Sequence, residues 1–362
     1  MLEALQEYGP RNITRVAKEL GMPAETIRKR FGRLRSTVFL KTHVNIYHTN
    51  LGLKKAVVFG EAVPGYEDLL FNALKQNDFW IFVGRCYGTF EGSIGIFTVP
   101  KEHTGEFEQF LSQVQALGAA QRLEHYWSTC FHEVNCLLNW FDKQAMDWSF
   151  PWDKWLEEIN SEKQELPYTL VDPEAFPVLG DEYDVIMLKE LEKDATVRIA
   201  KLAQILKISP QLARYHFHRH LVGNGLIESF EVRTFHFGRD TADFSFFLFN
   251  FDSHEKMAKF ASSLLDKPFA KVLGKLLERN ALYGYIYLPR SEFRKFLNAL
   301  SQLVKSGFME SYRYMIQDLD NSSRQTISFE YFTDKSWVYD HEKHLRNLQN
   351  LVNNAKMPQF KA

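Results

Sequence analysis

Basic side chains are concentrated in one short stretch, and this is the first place where the sequence suggests a chemistry. Residues 24–44 carry six basic residues against one acidic residue, Glu25. The six are Arg28, Lys29, Arg30, Arg33, Arg35 and Lys41. Such a cluster is typical of a site for a polyanion such as nucleic acid. A solvated helix face is the alternative interpretation, and it is the simpler one for a single basic helix.

Motifs for catalysis are scarce. His216 and His220 stand one helical turn apart, a spacing that can hold a metal ion, but the sequence places no third ligand nearby. The chain has no HExxH, no glycine-rich phosphate loop and no GxSxG, and His132-Glu133 does not form a zinc-protease pair. We therefore expect no catalytic residues, no metal and no cofactor, and we predict that the protein is not an enzyme.

Composition indicates an ordinary globular chain. Its 362 residues are 45% hydrophobic and 25% charged, with a formal net charge of −1. No apolar run reaches the roughly 18 residues that cross a bilayer, and the N-terminus lacks a signal-peptide core. Cys86, Cys130 and Cys136 form no CxxC motif, so free thiols in a reducing cytoplasm are expected.

The sequence repeats itself. The segment ITRVAKELGMPAETIRKRFGRL from Ile13 aligns with a segment 186 residues later, and Trp148 aligns with Trp337 at an offset of 189. Between these matches, Pro100 and Pro289 close similar strands. Matches in one order at nearly one offset predict two related halves, about 1–165 and 181–362, joined by the proline-containing segment 162–182.

Each half begins with a pattern of short helices. In the first half Asn12 is a good N-cap, Gly21 allows a tight turn, and Pro23 opens a helix with Ile27, Phe31 and Leu34 on one face. In the second half an amphipathic helix over 181–195 precedes a helix ending at Leu206. Ser209 caps the next helix, and 226–237 is expected to form a wing hairpin. Two short helices with a basic second helix are typical of a helix-turn-helix.

An α/β pattern follows each helical unit. Residues 53–132 predict the order βαββαβ of a ferredoxin-like domain, and 241–319 repeat it. The stretch 267–280 is ambiguous because its charges have helical spacing where a strand is expected. Trp148, Trp152 and Trp155 recur at helical spacing and predict a packing stripe.

The second half resembles the Lrp/AsnC family of prokaryotic transcription regulators. Its matching positions are Asp184, Asp194-Ala195, Leu202-Ala203, Ser209 and Gly225-Leu226-Ile227. The first half keeps Val16-Ala17, Leu20-Gly21 and Ile27, but it has Pro23 in place of the serine. The resemblance implies two winged helix-turn-helix domains, each followed by a ferredoxin-like domain, arranged as an intrachain pseudo-dimer of α+β class.

This architecture divides the chain into six segments. They are a winged helix-turn-helix (1–50), a ferredoxin-like domain (51–135), an aromatic helical segment and linker (136–180), a second winged helix-turn-helix (181–240), a second ferredoxin-like domain (241–320) and a C-terminal helical tail (321–362).

The resemblance also implies a function and partners. We expect a cytoplasmic, nucleoid-associated regulator that binds double-stranded DNA through its recognition helices, with homodimerisation possible and no membrane partner. The expected DNA-binding residues are Glu25, Thr26, Arg28, Lys29, Arg30, Arg33, Arg35, Gln211, Arg214, Tyr215, His218 and Arg219. Gly88-Thr89-Phe90-Glu91 resembles a family turn near which small effectors such as amino acids are held, although a hairpin without a ligand is the more common use of such a turn.

Two other functions fit the same pattern. Siroheme decarboxylases share the two-part architecture without regulating genes, but they would need a tetrapyrrole pocket with catalytic histidines that the sequence does not identify. The second of these functions is that of a chromatin-like or protein-interaction module. Residues 1–44 carry nine basic against four acidic residues, whereas 181–239 carry nine against eight, so one recognition helix could be mainly structural.

Overall fold

A computed structural model describes residues 1–37, 40–135, 137–162, 165–238 and 240–355. Within these ranges the chain is α+β, and its two halves repeat one order of elements. Cys86 and Cys130 are buried free thiols, and Cys136 lies outside the described residues. No helix in the described ranges is long and apolar enough to cross a membrane.

The first half opens with three helices and a strand: α1 (Leu2–Tyr8), α2 (Ile13–Glu19), α3 (Ala24–Thr37) and β1 (Lys41–Ile46). Asn12 caps α2 as predicted, because its side chain accepts a hydrogen bond from the backbone N–H of Arg15 at 3.3 Å. Gly21 adopts a φ of +61° in the turn before α3, a conformation that favours glycine.

The expected βαββαβ order then follows. It consists of β2 (Leu53–Glu61), α4 (Glu67–Leu74), β3 (Trp80–Gly88), β4 (Gly92–Pro100), α5 (Thr104–Ala116) and β5 (Arg122–Ser128). Three two-residue strands and a helix complete the half: β6 (His132–Glu133), β7 (Phe141–Asp142), β8 (Asp147–Trp148) and α6 (Trp152–Ser161).

The second half has the same order. Its helical unit consists of α7 (Glu182–Lys193), α8 (Ile199–Leu206), α9 (Pro210–Tyr215) and a π-helical segment (His216–Val222), followed by β9 (Ile227–Arg233). Its α/β part consists of β10 (Ala242–Asn250), α10 (His254–Leu264), β11 (Ala270–Lys275), β12 (Ala281–Pro289), α11 (Arg290–Lys305) and β13 (Ser311–Arg324). The end of the chain forms β14 (Phe332–Thr333), β15 (Ser336–Trp337) and α12 (His341–Asn354).

Some local expectations differ from the structure. The ambiguous stretch 267–280 contains strand β11. The spacing of its lysines suggested an exposed helix face, but these lysines are buried, and Lys275 Nζ lies 2.6 Å from Asp172 Oδ1. The expected helical tail begins with the end of β13 and the β14–β15 hairpin before α12. Trp148 lies on β8 and not on a helix, so the tryptophan stripe includes only Trp152 and Trp155 of α6.

The repeat is visible in the structure at its C-terminal match. Trp148 and Trp337 occupy the second strands of the equivalent hairpins β7–β8 and β14–β15, and each hairpin precedes the last long helix of its half. The offset of 189 residues therefore aligns two equivalent structural units.

The two α/β parts share one antiparallel sheet. Its strand order is β5-β2-β4-β3-β13-β10-β12-β11-β6, and the halves meet where β13 pairs with β3. Because β6 follows β5 after three residues and pairs with β11, the sheet closes on itself as a barrel. The barrel interior is rich in aromatic side chains, among them Phe82, Phe246, Tyr283 and Tyr285.

The halves also exchange elements. Strand β1 of the first half pairs antiparallel with β9 of the second, with Val44 opposite Phe230, so the expected hairpin within 226–237 is wrong. Helix α6 packs on α10 and α11 of the second half, and α12 packs on α4 and α5 of the first. Each half therefore completes the hydrophobic core of the other.

Candidate functional site

A large cavity lies between the barrel and the β1–β9 ribbon. Its volume is about 570 Å³, within the range of about 300–1,000 Å³ that is usual for small-molecule and cofactor sites. The barrel contributes side chains from β2, β3, β4, β10, β11 and β12, and the other wall comes from β1, β9 and the C-terminal end of α7. Both halves of the chain are therefore needed to form it.

Aromatic rings form much of the cavity lining. Phe131 stacks on Tyr283 with ring centroids 4.9 Å apart, and Phe246 stacks on Tyr285 at 4.8 Å. The hydroxyl of Tyr285 donates to Gln317 Oε1 at 2.6 Å, which fixes the orientation of that ring. Stacked rings offer flat apolar surfaces, and these suit a planar conjugated ligand.

Lys55 places a cation in this apolar environment. It lies on the same face of β2 as Val57 and Phe59, and its residue is only 3% exposed. Its Nζ is 4.0 Å from the centroid of the Phe131 ring, and among the described residues no carboxylate pairs with it. The adjacent Lys54 is on the opposite face, with its Nζ 5.0 Å from the ring centroid of Trp127. A buried ammonium without an anionic partner is costly, so Lys55 is suited to an anionic ligand.

His48 adds a second incompletely bonded group. It begins the short 3-10 turn that links β1 to β2, and it is 3% exposed. Neither Nδ1 nor Nε2 has a hydrogen-bond partner among the described residues. Burial, assisted by the charge of Lys55, holds the pKa of His48 well below its usual range. The neutral ring can donate one hydrogen bond to a ligand and accept another.

Glu192 supplies an acid to the same cavity. It lies near the end of α7, and its Oε2 accepts the backbone N–H of Ile327 at 2.8 Å. Burial raises the pKa of Glu192 to about 8, against the opposing effect of this hydrogen bond. Its carboxyl group is therefore protonated at neutral pH and able to give up a proton.

A charged cluster closes one wall of the cavity. Arg233 Nη2 is 2.5 Å from Glu133 Oε1 and 3.4 Å from Glu231 Oε2, and His43 Nε2 is 2.9 Å from Glu231 Oε2. Burial raises the pKa of Glu133 and of Glu231 to about 7 each. Burial, with a contribution from Arg233, lowers the pKa of His43 to about 3. Unlike Lys55, Arg233 is already paired with carboxylates of the protein.

The expected DNA-binding residues lie elsewhere. Those of α3 are largely exposed, and Arg28 pairs with Glu25 while Arg35 pairs with Asp194. The exposed residues of the second set are Gln211, Arg214, Tyr215, His218 and Arg219. None of them lines the cavity. Their role in DNA binding stays a prediction.

The turn over residues 88–91 is not part of the cavity lining either. Gly88 ends β3 with a φ of +143°, and Thr89 Oγ1 donates to the backbone oxygen of Tyr314 at 2.9 Å. A Cβ atom at Gly88 would lie 3.1 Å from that same oxygen, so close packing explains the glycine. Effector binding by Gly88, Thr89, Phe90 and Glu91 stays a prediction.

The sequence patterns did not identify the residues that line the cavity as functional. One signal was present: Lys55 shares a strand face with Val57 and Phe59, and a charge on an apolar face is unusual. His48, Glu192 and Arg233 gave no such signal. They approach the cavity only because β1 pairs with β9 and α7 packs against β1.

Comparison with known proteins shows the fold. No protein-family model matches the chain, and no curated protein matches its sequence. Among solved structures it is similar to the siroheme decarboxylase NirDL, with 9% identity and a TM-score of 0.52 over 98% of this chain and 99% of that one. The same enzyme in complex with an iron-uroporphyrin III analogue matches at 10% identity and a TM-score of 0.52, over 95% of this chain and 93% of that one.

The likeness bears on two expectations. It is consistent with the tandem ferredoxin-like, Lrp/AsnC-like architecture, whereas no family model confirms a transcription regulator. The prediction that the protein is not an enzyme is wrong, because the solved structures that it resembles over nearly its whole length are those of an enzyme. The prediction came from the lack of local catalytic motifs, and a cavity built from distant segments leaves no such motif.

Proposed function

We propose that the protein is an enzyme that binds a planar, polycarboxylated tetrapyrrole in the central cavity and removes carboxyl groups from it as CO2. The cavity itself carries this proposal, since it combines stacked aromatic rings with a buried Lys55 that pairs with no carboxylate in the described part of the chain. The fold shared with a siroheme decarboxylase supports this substrate class and this reaction.

The cavity offers separate contacts for the two parts of such a substrate. The rings of Phe82, Phe246 and Tyr285 would contact the conjugated macrocycle. Lys55 and Arg324 would pair with carboxylates that are retained, because an ion pair stabilises a carboxylate and opposes its loss. The reacting carboxylate would lie against the apolar wall, where weak solvation favours the loss of its charge.

The reaction needs one proton for each CO2 released. The bond between the substrate methylene carbon and the carboxyl carbon breaks, and its electron pair remains on the methylene carbon, where the conjugated ring delocalises it. A proton then converts that carbon to a methyl group. Glu192 is the donor that we propose, because burial keeps its carboxyl protonated at neutral pH. His48 would orient the substrate through a hydrogen bond.

Binding can be tested with uroporphyrin III, a porphyrin that carries eight carboxylates. We expect a shift of its main absorbance band on titration with the protein. Lys55→Met should weaken binding at least tenfold because a buried cation is lost, a change of about 1.4 kcal/mol. Lys54→Met is the matched control and should bind normally, since its side chain is on the other face of β2. Absence of binding, or equal affinities of the two variants, would contradict the proposal.

Turnover can be tested by mass spectrometry with iron-loaded uroporphyrin and siroheme as substrates. The product should lack the mass of one or more CO2 groups. Glu192→Gln should lower turnover roughly 100-fold or more while leaving the dissociation constant within about threefold, as expected for loss of a general acid. Unchanged turnover in Glu192→Gln would remove Glu192 from the mechanism.

A second candidate function is binding of duplex DNA, favoured by the exposed basic residues of α3. It is tested by fluorescence anisotropy across a salt series. Each phosphate neutralised should add about −0.9 to the slope of log K against log salt, so Arg28→Ala/Lys29→Ala should flatten it by about two units. Arg214→Ala examines the second recognition helix in the same way. Binding that is absent or independent of salt would exclude this function.

A further inference from the structure

A second group of metal-ligating side chains lies outside the cavity, in the helical unit of the second half. Asp181, Asp184, His216 and His220 bring their ligand atoms within 4.8 Å of one another. His216 Nδ1 is 2.8 Å from Asp184 Oδ1, and His220 Nδ1 is 2.9 Å from Asp184 Oδ2. Each of these Nδ1 atoms is also 3.7 Å from an oxygen of Asp181.

Local structure fixes all four side chains. Asp181 is the N-cap of α7, and its Oδ1 accepts the backbone N–H of Asp184 at 3.1 Å. In return, Asp184 Oδ2 accepts the backbone N–H of Asp181 at 2.9 Å. The two histidines are held one turn apart on the π-helical segment, with ring centroids 4.5 Å apart. Carboxylates oriented by backbone N–H groups are typical of preorganised metal ligands.

The cluster of Asp181, Asp184, His216 and His220 is buried on one side and open to solvent on the other. The side chain of Asp184 is fully buried and that of His216 nearly so, whereas those of Asp181 and His220 are 21% and 25% exposed. An ion could therefore enter from the side of Asp181 and His220 and be held by the buried pair.

The first half shows that a three-helix unit of this kind does not need these histidines. At the repeat offset of 186 residues, Arg30 and Leu34 occupy the positions of His216 and His220. Arg30 is exposed and Leu34 is half-buried in α3. The histidines are thus a property of the second unit that its fold alone does not explain.

Hydrogen bonds hold both aspartates in place: the two histidines can donate their Nδ1 protons to Asp184, and Asp181 accepts the backbone N–H of Asp184. They leave the Asp181 carboxylate facing both imidazoles at 3.7 Å, with no hydrogen bond to either histidine. Four ligands about 2.0–2.1 Å from a tetrahedral zinc ion lie roughly 3.3 Å apart. The distances from the two histidine nitrogens to the carboxylate oxygens, which involve both oxygens of each aspartate, run from 2.8 to 3.7 Å around that value. One ligand atom from each of the four residues lies within 4.8 Å of the others.

We propose that Asp181, Asp184, His216 and His220 form a structural zinc site. Two imidazoles and two carboxylates are a suitable tetrahedral set for Zn²⁺, and the two carboxylate charges balance the ion. The ion would join the N-terminus of α7 to the π-helical segment and so connect the first and last helices of the unit. This site is independent of the tetrapyrrole cavity and of the reaction proposed there.

The test is a zinc titration of the full chain after treatment with a chelator. Isothermal titration calorimetry should show a tight site with one zinc per chain, and Co²⁺ in its place should give the intense visible absorption of a tetrahedral complex. His220→Ala should weaken zinc binding at least 100-fold. His218→Ala, an exposed residue of the same segment, should not change it.

The charged cluster at the cavity wall also brings together side chains that could hold a metal ion, namely His43, Glu133 and Glu231, and a further variant distinguishes it from the proposed site. Glu231→Gln should leave zinc binding intact. Loss of binding in Glu231→Gln but not in His220→Ala, or a folded wild-type chain that binds no zinc, would overturn the proposal. If His220→Ala does not fold, the cobalt spectrum of the wild-type chain decides, because weak octahedral absorption contradicts the site.

Discussion

At the scale of single residues, the protein places ionisable groups where water cannot solvate them fully. Among the described residues, buried Lys55 has no carboxylate partner and both ring nitrogens of buried His48 lack a hydrogen bond. Glu192 retains a proton at neutral pH. Such buried groups cost stability, and shifted pKa values like those of His48 and Glu192 are concentrated at functional sites. The loss of stability at this cavity is what we expect of a binding site whose ligand supplies the missing charge.

The raised pKa of Glu192 predicts how stability depends on pH. The folded chain keeps this proton up to about pH 8, whereas the unfolded chain loses it near pH 4.3, so the free energy of unfolding should fall as pH rises between those values. Glu192→Gln mimics the protonated form. Relative to wild type it should gain at least about 1 kcal/mol at pH 9 compared with pH 5, measured by urea unfolding.

Glu190, on the same helix, is the control for that prediction. Burial alone would raise the pKa of Glu190, but hydrogen bonds from Lys193 and Lys189 lower it. Glu190→Gln should therefore be less stable than wild type by an amount that stays constant above about pH 4.3 and shrinks as pH falls below it, so no change is expected between pH 5 and pH 9. The same pH response in both variants would show that the effect does not come from the burial of Glu192.

At the scale of elements, the paired strands β1 and β9 connect the two helical units. Val232 of β9 packs into the core of the first unit beside Val16, Ile27 and Phe31. Val44 of β1 packs in turn against Leu188 in the core of the second. Each helical unit therefore depends on a strand that is distant in sequence.

Val232→Ala tests this exchange. Removing two buried methyl groups should cost roughly 1–3 kcal/mol, and the loss should appear in the first helical unit although Val232 belongs to the second half. Hydrogen exchange of the α2 and α3 amides should accelerate. Val338→Ala, at a residue that is 49% exposed, should leave the hydrogen-exchange rates unchanged. Faster hydrogen exchange confined to α7–α9 would contradict the packing of β9 in the core of the first helical unit.

At the scale of the whole molecule, the two halves form one structural unit. The barrel is closed by strands of both, and α6 and α12 each pack on the other half. Trp155 of α6 is fully buried among Phe260, Phe269 and Phe296 of the second half. Separating the halves would expose both of these interfaces to water.

Expression of the halves provides the corresponding test. Residues 1–165 and 181–362 produced separately should lack cooperative unfolding, because each exposes a core that the other covers. Produced together, they should assemble into one species on size-exclusion chromatography. A first half that unfolds cooperatively as a monomer would show that the exchanged elements are dispensable.

The sequence by itself determined the repeat, the order of helices and strands in each half, and local signals such as the Asn12 cap. These follow from hydrophobic periodicity and capping, which act over a few residues. It did not determine the β1–β9 pairing, the exchange of α6 and α12, or the cavity. Those depend on contacts between residues far apart in the chain, and no local pattern encodes which partner a strand or an apolar helix face will find. For the same reason the tertiary structure alone brought His48, Lys55 and Glu192 to one cavity, and Asp181 and Asp184 to the two histidines.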